Sequence, residues 1–299
     1  MGLEQMPGNT ARQQPGRETQ TMQATINDVT IGYDDAGQGP AVVFIHDFPL
    51  NRKMWRQQAE AVVAAGFRVI SPDLRGFGSS QLETDCCAIS TYSQDMVGLL
   101  DFLGIGRAVF CGLSMGGYIL FDLLEHHPHR VAGACLVSTR PVADDIHERA
   151  KRAEFLGALH KGLADEVRDD LYGMLITGQE EKMPASCKNE ILALTRNVRP
   201  KTLTAAILAI TRRKDYTFQL QNMKTPTLVI GAEHDRITHP RHSEIMARQL
   251  PNCYKSVTLD CGHLVNMEKS QAFNAHFIDF LNRLNPQPRS AAAMIRSAS

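Results

Sequence analysis

The strongest constraint on the fold is the run Gly112-Leu113-Ser114-Met115-Gly116-Gly117, set between an apolar stretch at residues 108–111 and a helical pattern that starts near Tyr118. A chain that turns sharply from strand into helix leaves little room for side chains two residues to either side of the central serine. Glycine stands at both positions. Such a turn lifts the serine hydroxyl above the sheet edge and aims the start of a helix at it. A glycine-rich turn whose serine merely caps a helix uses the same residues, so the rest of the chain has to decide.

Around this turn the apolar pattern alternates between strand and helix. Residues 25–33 alternate across an Asn27-Asp28 turn and predict a hairpin. Residues 41–45 form a continuous apolar run of the kind found in a strand buried on both faces. Helical patterns at 54–65, 92–103 and 115–125 then interleave with strands at 68–71, 108–111 and 131–137. This predicts an α/β fold with a mostly parallel sheet covered on both faces. From 141 to 221 helical patterns such as 146–163 and 203–212 follow one another without a convincing strand, which predicts an inserted helical lid. Strands at 227–230 and 254–258, with helices at 241–249 and 271–284, resume the sheet. The expected organisation is a core of 23–140 and 222–285, a lid at 141–221, and disordered tails at 1–22 and 286–299, where apolar periodicity is lacking.

A chain of 299 residues suits one large α/β domain with an insertion. Thirty-two basic against thirty-two acidic residues leave no net field to attract nucleic acid or acidic lipid, so the expected partner is a small molecule. No apolar stretch is long enough to span a bilayer, and residues 1–22 lack a signal-peptide core; a cytoplasmic protein is expected. Seven cysteines, with no Cys-x-x-Cys pair and with Cys86 next to Cys87, suit neither zinc nor a disulfide framework. Reduced thiols are expected, Cys111 and Cys135 as small buried hydrophobes. His234, His239 and His242 cluster in sequence, but no second patch supplies matching ligands, and neither metal nor cofactor is expected. Oligomeric state is open.

A serine hydroxyl needs an imidazole to take its proton and a carboxylate to hold that imidazole in one tautomer. After the strand at 227–230 come Gly231-Ala232-Glu233-His234-Asp235, and after the last strand come Cys261-Gly262-His263-Leu264-Val265. Ser114, Asp235 and His263 therefore follow one another as candidate nucleophile, acid and base, each in a loop at the carboxyl end of a strand. Glu233 competes with Asp235, and an ordinary helix-capping or core role competes for His263.

With His46-Asp47-Phe48-Pro49, Asp73-Leu74-Arg75-Gly76-Phe77-Gly78-Ser79, the Ser114 turn and the Asp235 and Gly262-His263 loops together, the chain resembles the α/β-hydrolase fold superfamily from about residue 24 to 284. Residues 48–55 and 262–268 are similar to the bacterial group of 3-oxoadipate enol-lactonases and small carboxylesterases. The resemblance implies a mostly parallel eight-stranded sheet with a helical lid. It favours Asp235 over Glu233 and implies an oxyanion hole made by the backbone NH groups of Phe48 and Met115, with His46 supporting the loop. The implied reaction is hydrolysis of a small carboxylic ester or lactone through an acyl-enzyme. Enol-lactone opening, carbon–carbon bond hydrolysis and peracid formation use the same groups, and a weakly active ligand-binding member of the superfamily is the reading from another class.

One position departs from the pattern: Asp47 stands where the family has glycine or another small residue. A carboxylate turned inward there would oppose a developing oxyanion. Asp47 is therefore expected to point away and bond local backbone, leaving the Phe48 NH free; the alternative is that it positions a substrate or water group, or depresses activity. Asp73 and Arg75 are expected in turn and packing roles, and Trp55, near the site, in packing more than in substrate contact. Phe155, Leu159, Leu171, Tyr172, Met174 and Leu175 in the lid suit either an apolar pocket wall or the lid's own core.

Overall fold

The computed structural model describes residues 21–83, 88–178 and 180–285. The tail expected at 286–299, residues 1–20 of the one expected at 1–22, and Cys86 and Cys87 lie outside the described residues. Thr21 and Met22 belong instead to the first strand, because ladder pairing (Thr21 with Asp34, Met22 with Tyr33) carries the hairpin past the alternating segment.

Strands β1 (Thr21–Ile26) and β2 (Val29–Ala36) pair antiparallel through Asn27 and Asp28, at φ +46° and +64°. Two consecutive left-handed residues are what a two-residue turn needs to match strand twist, and Asn and Asp tolerate them best after Gly. The chain continues through β3 (Ala41–Ile45), a short turn of helix at Arg52–Trp55, α1 (Arg56–Ala64), β4 (Arg68–Pro72), α2 (Ile89–Phe102), β5 (Ala108–Leu113), α3 (Met115–His126) and β6 (Val131–Val137). Helices α4 (Ile146–His160), α5 (Ala164–Ile176), α6 (Ala185–Arg196) and α7 (Pro200–Thr211) stand between β6 and β7 (Thr227–Ala232). Then come α8 (Arg241–Gln249), β8 (Cys253–Leu259), the single turn α9 (Val265–Glu268) and α10 (Ser270–Leu284). Among the described residues no helix is long and apolar enough to cross a membrane.

The eight strands form one sheet in the order β1-β2-β4-β3-β5-β6-β7-β8, parallel from β4 to β8 and antiparallel where β2 meets β1 and β4. Each central strand serves two cores, as a period of two requires. Val43, Ile45, Phe110 and Leu136 face α2 and α3, while Val42, Phe44, Cys111 and Val137 face the side covered by α1 and by Phe273, Phe277 and Phe280 of α10. Cys111 and Cys135 are buried free thiols in the second core.

Because β3, β5, β7 and β8 run parallel, the loops at their carboxyl ends open on one side of the sheet. A set of amide contacts ties the first of these loops to the last. Asn266 Nδ2 donates to the Met54 carbonyl at 2.8 Å, and Gln58 Nε2 donates to the Asn266 carbonyl at 2.9 Å. All three residues are buried.

Candidate active site

Ser114 sits between β5 and α3 at φ +51°, ψ −107°, a conformation that costs a non-glycine residue energy and that only a tightly determined surround maintains. Its NH donates to the Val137 carbonyl at 2.9 Å, and its carbonyl accepts from Thr139 Oγ1 at 2.8 Å. The flanking glycines are required by close approach. A Cβ on Gly112 would fall 2.3 Å from the Gly116 carbonyl oxygen, and one on Gly116 would fall 2.3 Å from that of Ile45. The turn therefore packs backbone against backbone and brings the start of α3 beside the end of β3.

His263, in the loop between β8 and α9, is buried with its Nδ1 2.8 Å from Oδ2 of Asp235. Asp235 is itself fixed on every side: Oδ1 accepts from the Ile237 and Thr238 NH groups, both at 2.8 Å, and Oδ2 accepts from Thr238 Oγ1 at 2.6 Å. Burial alone would raise the Asp235 pKa, but the charge of His263 and the hydrogen bonds from His263 and Thr238 outweigh it and hold the carboxyl below its usual range. For His263 burial works against the charged ring, yet Asp235, and after it Asp47, overcome this and raise its pKa well above the ordinary value. The His263 loop is also clamped by Glu268, whose carboxylate accepts from the Gly262 NH at 2.8 Å and the Leu264 NH at 3.1 Å. Neither Thr238 nor Glu268 was singled out from the sequence. Glu268 follows Gly262 by six residues, and only the reversal of the chain into α9 brings the two together.

The orientation expected of Asp47 is overturned. Its carboxylate points inward, and Oδ1 accepts from both the Phe48 NH, at 2.7 Å, and the Met115 NH, at 3.3 Å. Oδ2 lies 3.4 Å from Nε2 of His263; both atoms are buried and neither has a hydrogen-bond partner. The two NH groups assigned to an oxyanion are thus occupied by the side chain of a neighbouring residue. The physical reason is the cost of burying a carboxylate. Asp47 is 2% exposed, and at that depth two NH donors and an imidazole are the partners in reach that offset its lost hydration. The backbone NH of Asp47 is meanwhile directed at Sδ of Met54, 3.3 Å away.

Ser114, Met115, Asp47, Phe48 and His263 line one cavity of about 50 Å³, walled on the helical side by Arg152, Phe155, Leu171, Met174 and Leu175. Both the pocket and the packing readings hold for Phe155, Leu171, Met174 and Leu175, which line the cavity and pack in or against the two cores, while Leu159 and Tyr172 pack against the cores and are not among the cavity-lining residues. Arg152, a charged lining residue not picked out from the sequence, bonds Asp144 Oδ2 through Nε at 2.5 Å. Trp55, grouped with the residues near the substrate, is buried against Phe44 at a 4.8 Å ring separation and is not among the cavity-lining residues. Its indole fills the layer under α10, where ring area counts for more than reach.

His46 bridges two loops. Nδ1 is 2.9 Å from the Asp47 carbonyl, and Nε2 accepts from the Leu74 NH at 2.9 Å, which assigns the proton to Nδ1; burial lowers its pKa and keeps the ring neutral. Asp73 accepts from the Arg52 and Ser79 NH groups at 3.0 and 2.8 Å and pairs with the Arg52 guanidinium. Arg75 holds Asp95 through two bonds of 2.9 and 2.7 Å. Glu233 is exposed, beside His234 and Asp260; these three could hold a cation at the surface, whereas His239 and His242 take no part in that group. His234 Nε2 is 2.8 Å from Asp260 Oδ1.

Residues 40–270 match a family model described as alpha/beta hydrolase fold. The chain is 27% identical to 3-oxoadipate enol-lactonase 2 of Acinetobacter baylyi, over 87% of its length and 96% of the relative's. It is 24% identical to bifunctional epoxide hydrolase 2 of Sus scrofa over 85% of its own length, but spans only about half, 53%, of that protein. Among solved structures it is similar to a thermophilic esterase from Thermogutta terrifontis, with a TM-score of 0.82, 30% identity, and coverage of 89% of this chain and 99% of the other.

Proposed function

We propose, from the premise that this chain belongs to the α/β-hydrolase fold family and is a hydrolase, that it cleaves a small carboxylic ester or lactone by way of an acyl group carried on Ser114. The observation that carries this reading is the strained Ser114 turn opening on the same cavity as the buried His263, whose Nε2 has no hydrogen-bond partner and whose Nδ1 is held by Asp235.

In this mechanism the Ser114 hydroxyl attacks the acyl carbonyl while neutral His263 takes its proton at Nε2. Asp235, at 2.8 Å, fixes the proton of His263 on Nδ1 and stabilises the imidazolium as it forms. The tetrahedral intermediate collapses as His263 returns the proton to the leaving oxygen, and water then releases the acid by the same steps in reverse. The Phe48 and Met115 NH groups hold the oxyanion, an arrangement worth about 3 kcal/mol per donor. The apolar wall from α4 and α5 suits a compact acyl group, and the matches to a named enol-lactonase and a named esterase support that substrate class. No nucleic-acid or membrane partner enters the reading, and we place the reaction in the cytoplasm.

The test is Ser114→Ala, which should abolish p-nitrophenyl acetate hydrolysis and leave the melting temperature nearly unchanged; retained turnover overturns the assignment. One observation favours a second reading: with Asp47 seated on both NH groups, the protein could bind a ligand in the pocket and scarcely turn it over. Stoichiometric fluorophosphonate labelling at Ser114 supports the enzyme, and a folded protein that takes no label supports the binder.

A further inference from the structure

Asp47 is the feature of the cavity that acyl transfer leaves unexplained. A carboxylate at this point duplicates the charge distribution that a tetrahedral intermediate would bring. One oxygen lies between the Phe48 and Met115 NH groups at 2.7 and 3.3 Å, and the other faces Nε2 of His263 at 3.4 Å. An ester carbonyl oxygen cannot use the two NH groups while both donate to the carboxylate of Asp47.

We propose that Asp47 is an internal stand-in for the oxyanion: a residue that occupies the two NH donors in the resting protein, must leave them before an acyl carbonyl can use them, and so restrains turnover of every ester. This inference rests on the acyl-transfer reading of Ser114. Its consequence for rate follows from where the binding free energy has to come from. Releasing Asp47 breaks two charge-assisted hydrogen bonds and separates it from His263, a cost that falls equally on every ester. Only a substrate that gains enough elsewhere offsets it. The surface on offer is the apolar wall of Phe155, Leu171, Met174 and Leu175. An ester whose acyl chain reaches that wall offsets more of the cost than an acetyl ester does, a preference that comes from the wall and persists without Asp47.

The experiment compares the wild-type protein with Asp47→Gly, using a fluorophosphonate probe and the p-nitrophenyl esters of acetate and hexanoate. In labelling, the Ser114 oxygen bonds to phosphorus, the phosphorus–fluorine bond breaks, fluoride leaves and His263 takes the hydroxyl proton. Asp47→Gly should label about tenfold faster or more, since a single oxyanion donor is worth at least that much in rate. Its kcat/KM should rise by a similar factor for both esters, leaving the hexanoate-to-acetate ratio unchanged within about twofold, because displacing the charge costs every ester the same. A folded variant that labels no faster than wild type, or that loses turnover, overturns the proposal while leaving Ser114 as nucleophile. If neither protein labels at Ser114, the acyl-transfer reading itself falls and takes the proposal with it. Should the variant not fold, the crystal structure of the wild-type phosphonyl adduct decides. Asp47 turned away, with the phosphoryl oxygen on the Phe48 and Met115 NH groups, supports the proposal; Asp47 still seated on both overturns it.

Discussion

Replacing Asp235 by Asn removes one charge and almost no volume, and the donors around it dictate how the new amide sits. Oδ1 of Asp235 accepts from the Ile237 and Thr238 NH groups, both at 2.8 Å. An NH2 group there would set donor against donor, so the amide carbonyl keeps that place and Nδ2 takes the position of Oδ2. Nδ2 then lies against Nδ1 of His263, where the carboxylate oxygen stood at 2.8 Å. Because Nδ2 can only donate, Nδ1 must accept, and the imidazole proton moves to Nε2. A ring protonated at Nε2 cannot take the hydroxyl proton of Ser114. The equivalent change in a serine protease costs about 10⁴ in turnover, or ~5.5 kcal/mol of barrier, and a loss of that size is expected here. Removing the carboxylate also draws the raised pKa of His263 downward, so residual activity should extend to lower pH. The assay is p-nitrophenyl ester hydrolysis and fluorophosphonate labelling from about pH 5 to 9, with urea denaturation to verify folding. Turnover within tenfold of wild type across that range, in a folded variant, refutes the argument.

Gly116→Ala places a Cβ 2.3 Å from the Ile45 carbonyl oxygen, a backbone atom that cannot yield cheaply. A loss of about 1–3 kcal/mol is expected, with roughly 2–4 °C in melting temperature for each kcal/mol. An unchanged melting curve contradicts that packing. Stability should also follow pH through the buried pair. The folded pKa of His263 is raised, so its contribution is complete below the unfolded value near about 6.5 and is lost as pH rises through the folded value. That of Asp235 is lowered, so its contribution is present above about 3.9 and lost as pH falls through the folded value. Denaturant midpoints should therefore form a plateau that declines on both sides, and a midpoint still climbing at alkaline pH is the contrary result.

The sheet was legible because its signals are local. The apolar runs of β3, β5, β6 and β7 need no knowledge of their neighbours to read as strands, and Asn27-Asp28 announces its own turn. Loop positions were legible for the same reason: Ser114 and His263 carry glycine beside them, and Asp235 follows an obvious strand. What escaped is what depends on two distant segments meeting. The side chain of Asp47 responds to a Met115 NH that is 68 residues away, and no pattern around residue 47 records that donor. Thr238 and Glu268 escaped likewise, because a hydroxyl that donates to a neighbouring carboxylate, or a carboxylate that accepts from backbone NH groups, looks like any polar surface residue until the loop closes. In the insertion, α5 buries Val167, Leu171 and Leu175 at four-residue intervals, yet whether such a stripe meets another helix or a cavity is settled by tertiary packing alone.

The amides of Gln58 and Asn266 carry a consequence for the order of events in folding. They join segments 208 residues apart, and through Met54, whose carbonyl accepts from Asn266 and whose sulfur faces the Asp47 NH, they tie the loop after β3 to the loop that bears His263. A contact of that separation closes late, since the chain entropy of so long a loop is surrendered before the contact gives anything back. Strands β3 to β6 can reach their register while the imidazole is still far from the sheet. The cavity is then among the last parts of the molecule to form, and a chain that has collapsed without docking α9 carries the finished Ser114 turn without His263 beside it.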